Sequence, residues 1–309
     1  MDGIMLQFHR GNSSRIRTYM KRLLIIISIL LISISAFAWT SIDADMAVIA
    51  RMNIAAAGGI DFTAYANCQG AWLFADDLTD ASGEGNTLGE NGSTSYTTDR
   101  PGTFSIGKSL DFVIADTDCV YLTDASLGAQ FPGKAQKADM SWCAWVKSDI
   151  DSADDRYLIG KGYTFFEKLS AYSDNDELGG YFSDGTESIH AYHDTDLTGV
   201  QTWVHICVSW DGSATDATVW VSSAGGSFGD ITNGTVVDHA AVDFVRASDT
   251  YDFAIGCIDT ESLGGFFDGH IYQPIVFDQT LTDVATGVGA ASAAAAATAM
   301  YTTGITGLD

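Results

Sequence analysis

The chain of 309 residues carries 40 acidic and 15 basic side chains, a formal charge of −25, with 46% hydrophobic and 11% aromatic residues. That apolar content builds a core and excludes wholesale disorder, and the length fits one large domain or two small ones. The acidity argues against a nucleic-acid partner, which needs clustered Lys and Arg to displace phosphate counterions, and against a basic membrane-surface patch.

The N-terminus reads as an address. Arg15, Arg17, Lys21 and Arg22 precede an apolar run from Leu23 to Ile34, and Ser35-Ala36-Phe37-Ala38 follows it. A charged start, a short apolar stretch and a small-residue exit predict a secretory signal peptide over residues 1–38. The alternative is an uncleaved anchor, for which the run is short of the roughly 20 residues that span a bilayer. Met20 is a second candidate start. Removing the leader takes away five basic residues and one acid, leaving 271 residues at −29. Of the 40 acids 34 are Asp. Solubility by self-repulsion is the plain reading of that bias; calcium, whose ligands are largely carboxylate and carbonyl oxygens, is the sharper one.

Residues 39–67 form a lead-in, with a short helix expected over Met46–Ala57. From Cys68 onward, short apolar or alternating runs recur between Gly, Asp, Asn and Ser clusters. Strands are expected at Gly70–Phe74, Ser109–Val113, Cys119–Leu122, Met140–Lys147, Tyr157–Gly160, Leu178–Phe182, Thr202–Trp210, Thr218–Val221, Phe253–Cys257 and His270–Phe277. Ten or so short strands separated by turn signals predict an all-β antiparallel jelly-roll sandwich, one domain over residues 68–282. The Ala-rich stretch within 283–309 predicts a C-terminal helix or tail. The five cysteines, Cys68, Cys119, Cys143, Cys207 and Cys257, lack zinc spacing. In an exported chain their odd number implies at least one bridge and a leftover thiol.

Several segments, taken in order, carry a family likeness. They are Gly70-Ala71-Trp72-Leu73-Phe74-Ala75-Asp76-Asp77, Gly107-Lys108-Ser109-Leu110-Asp111-Phe112, Met140-Ser141-Trp142-Cys143-Ala144-Trp145-Val146-Lys147, and Trp203-Val204-His205-Ile206-Cys207-Val208-Ser209-Trp210-Asp211-Gly212. Ile255-Gly256, Phe267-Asp268-Gly269-His270-Ile271 and Phe277-Asp278-Gln279-Thr280-Leu281-Thr282 complete the set. Over about 210 residues the chain resembles the laminin-G-like and concanavalin A-like lectin jelly rolls, LamG and pentraxin relatives included. That resemblance speaks to fold; function belongs to sites.

The pentraxin likeness implies a disulfide between Cys143 and Cys207. Alternation puts Cys143 on the face of Trp145, and Cys207 on that of Trp203 and His205. The same likeness implies calcium as cofactor, with Asp174 and Asn175 from one loop and Asp259 and Glu261 from another supplying oxygens. The chain lacks the pentraxin Glu-Gln-Asp run and the later Glu/Gln pair, which argues against a two-calcium site. Read by itself, the Asp174 segment is equally an Asp/Asn-rich turn bonding its own backbone. Asp80-Ala81-Ser82-Gly83-Glu84-Gly85 has EF-hand-like oxygen spacing, but its twelfth position is Asn91, and a Gly-rich loop is the better reading.

Catalytic signals are weak. None of the six Glu sits in an alternating strand motif that would face two carboxylates across a sugar. His190 and His193 near Asp194 and Asp196 lack further metal ligands, and His205 and His270 are expected to be structural. Asn91-Gly92-Ser93 and Asn233-Gly234-Thr235 fit the N-glycosylation pattern. Tyr172, Tyr181 and Tyr192, with Phe182, fall near the Asp174 segment and are the candidate sugar-stacking surface. The sequence therefore reads as a secreted, non-enzymatic module for a glycan or extracellular protein ligand. A glycoside hydrolase with an atypical site and a structural adhesion domain are the alternatives.

Overall fold

The computed structural model describes residues 59–102, 104–134, 139–149, 155–161, 165–172, 175–183, 188–193, 202–211, 216–222, 231–233, 235–238, 251–257 and 265–308. The leader, the Met46–Ala57 helix, Asp174, Asp259 and Glu261 lie outside these residues. Two antiparallel sheets face each other. Sheet I holds β1 (Cys68–Ala71), β3 (Ser95–Thr97), β4 (Ser109–Phe112), β6 (Asp139–Ser148), β11 (Val204–Asp211), β12 (Asp216–Ser222), β13 (Ile231–Asn233) and β16 (Gly269–Phe277). Its order is β13-β12-β11-β6-β16-β4-β3, and β1 also pairs with β16. Sheet II holds β2 (Gly89–Asn91), β5 (Cys119–Leu122), β7 (Asp155–Lys161), β8 (Phe165–Tyr172), β9 (Asn175–Ser183), β10 (Ser188–His193), β14 (Thr235–Asp238) and β15 (Phe253–Ile255). Its order is β14-β10-β9-β8-β7-β15-β5-β2. This is the expected antiparallel sandwich.

Strict alternation builds the central core. On β6, Trp142, Ala144 and Val146 point inward; on β11, Ile206, Val208 and Trp210 do the same; Phe253 and Ile255 of β15 meet them from sheet II. Trp72 stacks on Phe253 with ring centroids 5.5 Å apart. The Gly-rich loop after Trp72 is organised by Asp80. Its Oδ1 accepts the amides of Ala71 (3.0 Å) and Ser82 (2.8 Å), and its Oδ2 accepts the Ser82 hydroxyl (2.8 Å) and the Asn86 amide (2.9 Å). Four donors on one carboxylate use its lone pairs, so the loop reading of this segment is the one the structure supports. Asp80→Ala strands the buried Ala71 and Asn86 amides and should lower the unfolding free energy by about 2–4 kcal/mol in urea denaturation.

The outer face of sheet I has a second core. Cys143, Cys207, Ile275 and Phe277 pack under α1 (Leu281–Val288) and α2 (Ala293–Thr303) together with Phe62 and Cys68. The Ala-rich C-terminus is thus two helices bent 73° apart. Thr280 caps α1 by accepting the Asp283 amide and bonding its carboxylate, and Gly289 closes it at φ 77°. Ser292 caps α2.

A bulge in β16 makes this second core. Tyr272 pairs with Trp145 and Ile275 with Cys143, so Gln273 and Pro274 together oppose Ala144. Gln273 sits at φ 49°. Its amide donates to the Tyr272 hydroxyl (2.8 Å) and accepts the Ile305 amide (3.0 Å), tying the segment after α2 to the strand.

Two disulfides form. Cys143 and Cys207 are direct cross-strand partners on β6 and β11, with Cα atoms 4.1 Å apart, as the resemblance implied. Cys119 and Cys257 join the ends of β5 and β15 on the outer face of sheet II, beside Ala254 and Phe266. Cys68 is the free, buried thiol.

Candidate functional site

The outer face of sheet I changes character along β6. At Cys143 it is covered by the helices. At Trp145 it enters an aromatic layer with Phe104, Tyr272 and Tyr301. Tyr301 stacks on Trp145 at 4.8 Å, Phe104 meets it edge-on at 5.7 Å, and the Tyr272 hydroxyl donates to the Ile106 carbonyl (2.6 Å). His205, opposite Trp145 in register and 5.1 Å from its ring, is fully enclosed. Desolvation pushes its pKa down to about 3, so the imidazole is neutral.

At Lys147 the layer opens to solvent and becomes a polar shelf. Trp203, half-buried just before β11, donates its indole N–H to Asp99 Oδ1 (3.1 Å), and Lys147 Nζ donates to Asp99 Oδ2 (2.6 Å). Burial works against the charge on Asp99, but the bonds from Lys147 and Trp203 outweigh it and hold the carboxyl below its ordinary range. His270 lies between β4 and β6, paired with Asp111 and Lys147. Its Nε2 is 3.4 Å from Asp149 Oδ2 and 3.8 Å from Asp99 Oδ2, and its Nδ1 is 3.7 Å from Asp111 Oδ1. The Trp203 and His270 rings are 6.1 Å apart. An aromatic plate thus stands beside three carboxylates, an imidazole and an ammonium, the mix of apolar face and directional polar groups that fixes a small polar ligand.

The other predicted residues fall elsewhere. Asn175 opens β9 opposite Tyr172, which closes β8; its expected calcium partners Asp174, Asp259 and Glu261 are outside the described residues. Tyr181 pairs with Phe166 and His190, and Tyr192 pairs with Gly179. In backbone register Tyr172, Tyr181 and Tyr192 belong to one face of sheet II. Gly160, whose partners are Phe166 and Ala254, carries that face across to Tyr121. Val120 and Leu122, which flank Tyr121, face the central core, and Tyr121 packs on the other face with Cys119 and Ala254. His193 and His190 lie on β10, which the strand expectations passed over.

Asp99, Asp111 and Asp149 were not singled out in the sequence because they stand far apart in the chain and only sheet pairing gathers them. The signal was local. Asp111 interrupts Leu110 and Phe112, and His270 precedes the apolar Ile271, so alternation alone places both on the outer face.

No protein-family model matches the chain, and no curated protein does. Solved structures do. Domain 4 of AbnA, a GH43 extracellular arabinanase from Geobacillus stearothermophilus solved with arabinotriose, is similar at 16% identity and TM-score 0.50, over 72% of this chain and 99% of that one. A receptor-binding domain is similar at 8% identity and TM-score 0.51, over 74% of this chain and 50% of that one. The binding domain of botulinum neurotoxin DC, solved with SialylT, gives 9% identity and TM-score 0.48, over 74% of this chain and 51% of that one. At these identities the first two likenesses establish a shared β-sandwich fold.

Proposed function

We propose that the chain is an extracellular, non-enzymatic carbohydrate-binding module whose sugar site is the shelf at Trp203. The observation that carries this reading is the half-buried indole fixed by Asp99 beside the Lys147, His270 and Asp149 side chains. A sugar presents one apolar face and a rim of hydroxyls. The indole offers the first a stacking surface, and the carboxylates and ammonium offer the second acceptors and donors. Two disulfides support an oxidising, extracellular setting. The arabinanase domain solved with arabinotriose supports glycans as the ligand class. The LamG and pentraxin resemblance supports the same class, and extends it to calcium held by Asp174, Asn175, Asp259 and Glu261, with Tyr172, Tyr181 and Tyr192 as the second sugar-facing surface.

The test is calorimetric titration of the full chain with arabinotriose and a panel of other oligosaccharides, in EGTA and in millimolar calcium. Binding is expected, weakened at least tenfold by Trp203→Ala, since truncating a stacked indole removes a dominant contact. Loss on Tyr181→Ala with Trp203→Ala silent moves the site to sheet II. Binding that needs calcium and is lost in Asp174→Ala supports the calcium component; identical titrations in EGTA remove it. Release of reducing sugar from any of the panel overturns the non-enzymatic reading.

A further inference from the structure

The charge on the shelf does not balance. Asp99, Asp111 and Asp149 surround one ammonium, Lys147, so the carboxylates outnumber it by two. Lys147 spends itself on Asp99 at 2.6 Å and stands 3.9 Å from Asp149. Ser95 offers Asp111 only a long hydroxyl contact of 3.4 Å. His270 is 92% buried, counted from its 8% exposure, and its Nδ1 is enclosed without a hydrogen-bond partner, facing Asp111. A buried imidazole nitrogen left in this way is costly unless something completes it.

One ligand atom each from Asp111, Asp149 and His270 lie within 4.8 Å of one another. The unpartnered Nδ1 of His270 is 3.7 Å from Asp111 Oδ1, close to the edge, about 3.4 Å, of a tetrahedron whose ligands sit about 2.1 Å from a central ion. We propose that Asp111, Asp149 and His270 bind a divalent transition-metal cation of the zinc class on the outer face of sheet I. One imidazole with two carboxylates suits zinc, cobalt or manganese better than calcium, which prefers six to eight oxygens. The β4–β16–β6 pairing holds Asp111 and His270 on rigid strands, while Asp149, just past β6, is exposed and leaves the solvent side of the ion open. A divalent charge there cancels the two uncompensated carboxylates. With Nδ1 ligating, Nε2 is left 3.8 Å from Asp99 Oδ2, a carboxylate outside the ligand set, the arrangement that orients a metal-bound histidine. The proposed ligands share no residue with the expected calcium set Asp174, Asn175, Asp259 and Glu261, and the inference stands whether or not the shelf binds sugar.

Cobalt(II) is the probe, because its visible absorption reports coordination geometry. The full chain, stripped with a chelator and left oxidised, is titrated with cobalt and then with zinc. The expected result is one cobalt per chain with an intense low-symmetry visible band that zinc displaces, and an affinity at least tenfold weaker in both His270→Gln and Asp149→Asn. Asp116→Asn, an exposed carboxylate outside the ligand set, should leave the band unchanged. Circular dichroism of each variant confirms the fold, and the exposed Asp149 provides the readout if His270→Gln unfolds. Absence of the band at millimolar cobalt overturns the proposal, as does a band that survives Asp149→Asn at full affinity or a stabilising effect of calcium at this site in preference to zinc.

Discussion

A chain with Cys119 and Cys257 both replaced by alanine should unfold about 5 kcal/mol more readily than the native protein, and one lacking Cys143 and Cys207 about 4 kcal/mol more readily, from the chain-entropy dependence on loop length. The bridges close loops of 138 and 64 residues. The shorter loop lies wholly inside the longer one, so the fourfold alanine variant should lose less than the two costs together. The outer bridge matters more for another reason: β5 and β15 lie side by side in sheet II, yet 130 residues of chain separate them, and β6 to β14 must fold within that span. Cys68 should not scramble these bonds, because burial pushes its thiol pKa up and keeps it from the reactive thiolate form. Urea denaturation of the oxidised variants measures both costs. A loss below about 1 kcal/mol for the outer pair would show that native strand pairing, not the bridge, limits the unfolded ensemble.

The second large effect is a dependence on pH from His205. Its folded-state pKa is about 3 against an ordinary 6.5, with desolvation as the cause. Between these values the unfolded chain takes up a proton that the folded chain refuses. Stability therefore falls as pH drops below 6.5, by up to about 1.4 kcal/mol per unit. Taking the protein from pH 7 to pH 5 should cost about 2 kcal/mol from this side chain. Asp99 acts in a different window: its lowered pKa means that its contribution is present above the ordinary carboxylate value and disappears only as pH falls through the folded one. His205→Phe, set between Trp145 and Tyr301, should flatten the slope between pH 7 and 5 and leave the more acidic limb in place. Parallel stability profiles for the two proteins would sink this account.

The sandwich was readable wherever a short apolar or near-apolar run stands between turn residues. Trp142 to Val146, Ile206 to Trp210 and Phe253 to Ile255 are such runs, and each became a strand of the central core. Cys143–Cys207 was readable through the family likeness because both cysteines sit inside such strands. The edge strands β2, Gly89-Glu90-Asn91, and β3, Ser95-Tyr96-Thr97, were not expected, since three mostly polar, half-buried residues leave no pattern. Neither was β8, where Phe165 and Phe166 stand on opposite faces and blur the alternation. The pairing of Cys119 with Cys257 depends on which strands become neighbours, a fact no local pattern holds. The shelf was half legible: Trp203 and His205 were placed on the face of Cys207, but His270 was given a structural role because its carboxylate neighbours come from β4, from the loop before it and from the end of β6.

The single extra residue at Gln273 and Pro274 decides how much of the chain the domain needs. Before it, β16 sends Ile271 to the central core; after it, Ile275 and Phe277 turn outward, where α1 and α2 cover them. The helices are therefore the lid on a face that the strand itself has made greasy, and they are no optional tail. A shortened chain ending near Leu281 would keep every strand and yet present Ile275, Phe277 and the Cys143–Cys207 bridge as one exposed apolar patch, a surface made for sticking to another copy of itself. Anyone trimming this protein for crystallisation or display should keep the chain through Ile305, which is buried in the second core, or delete one bulge residue and accept a different core.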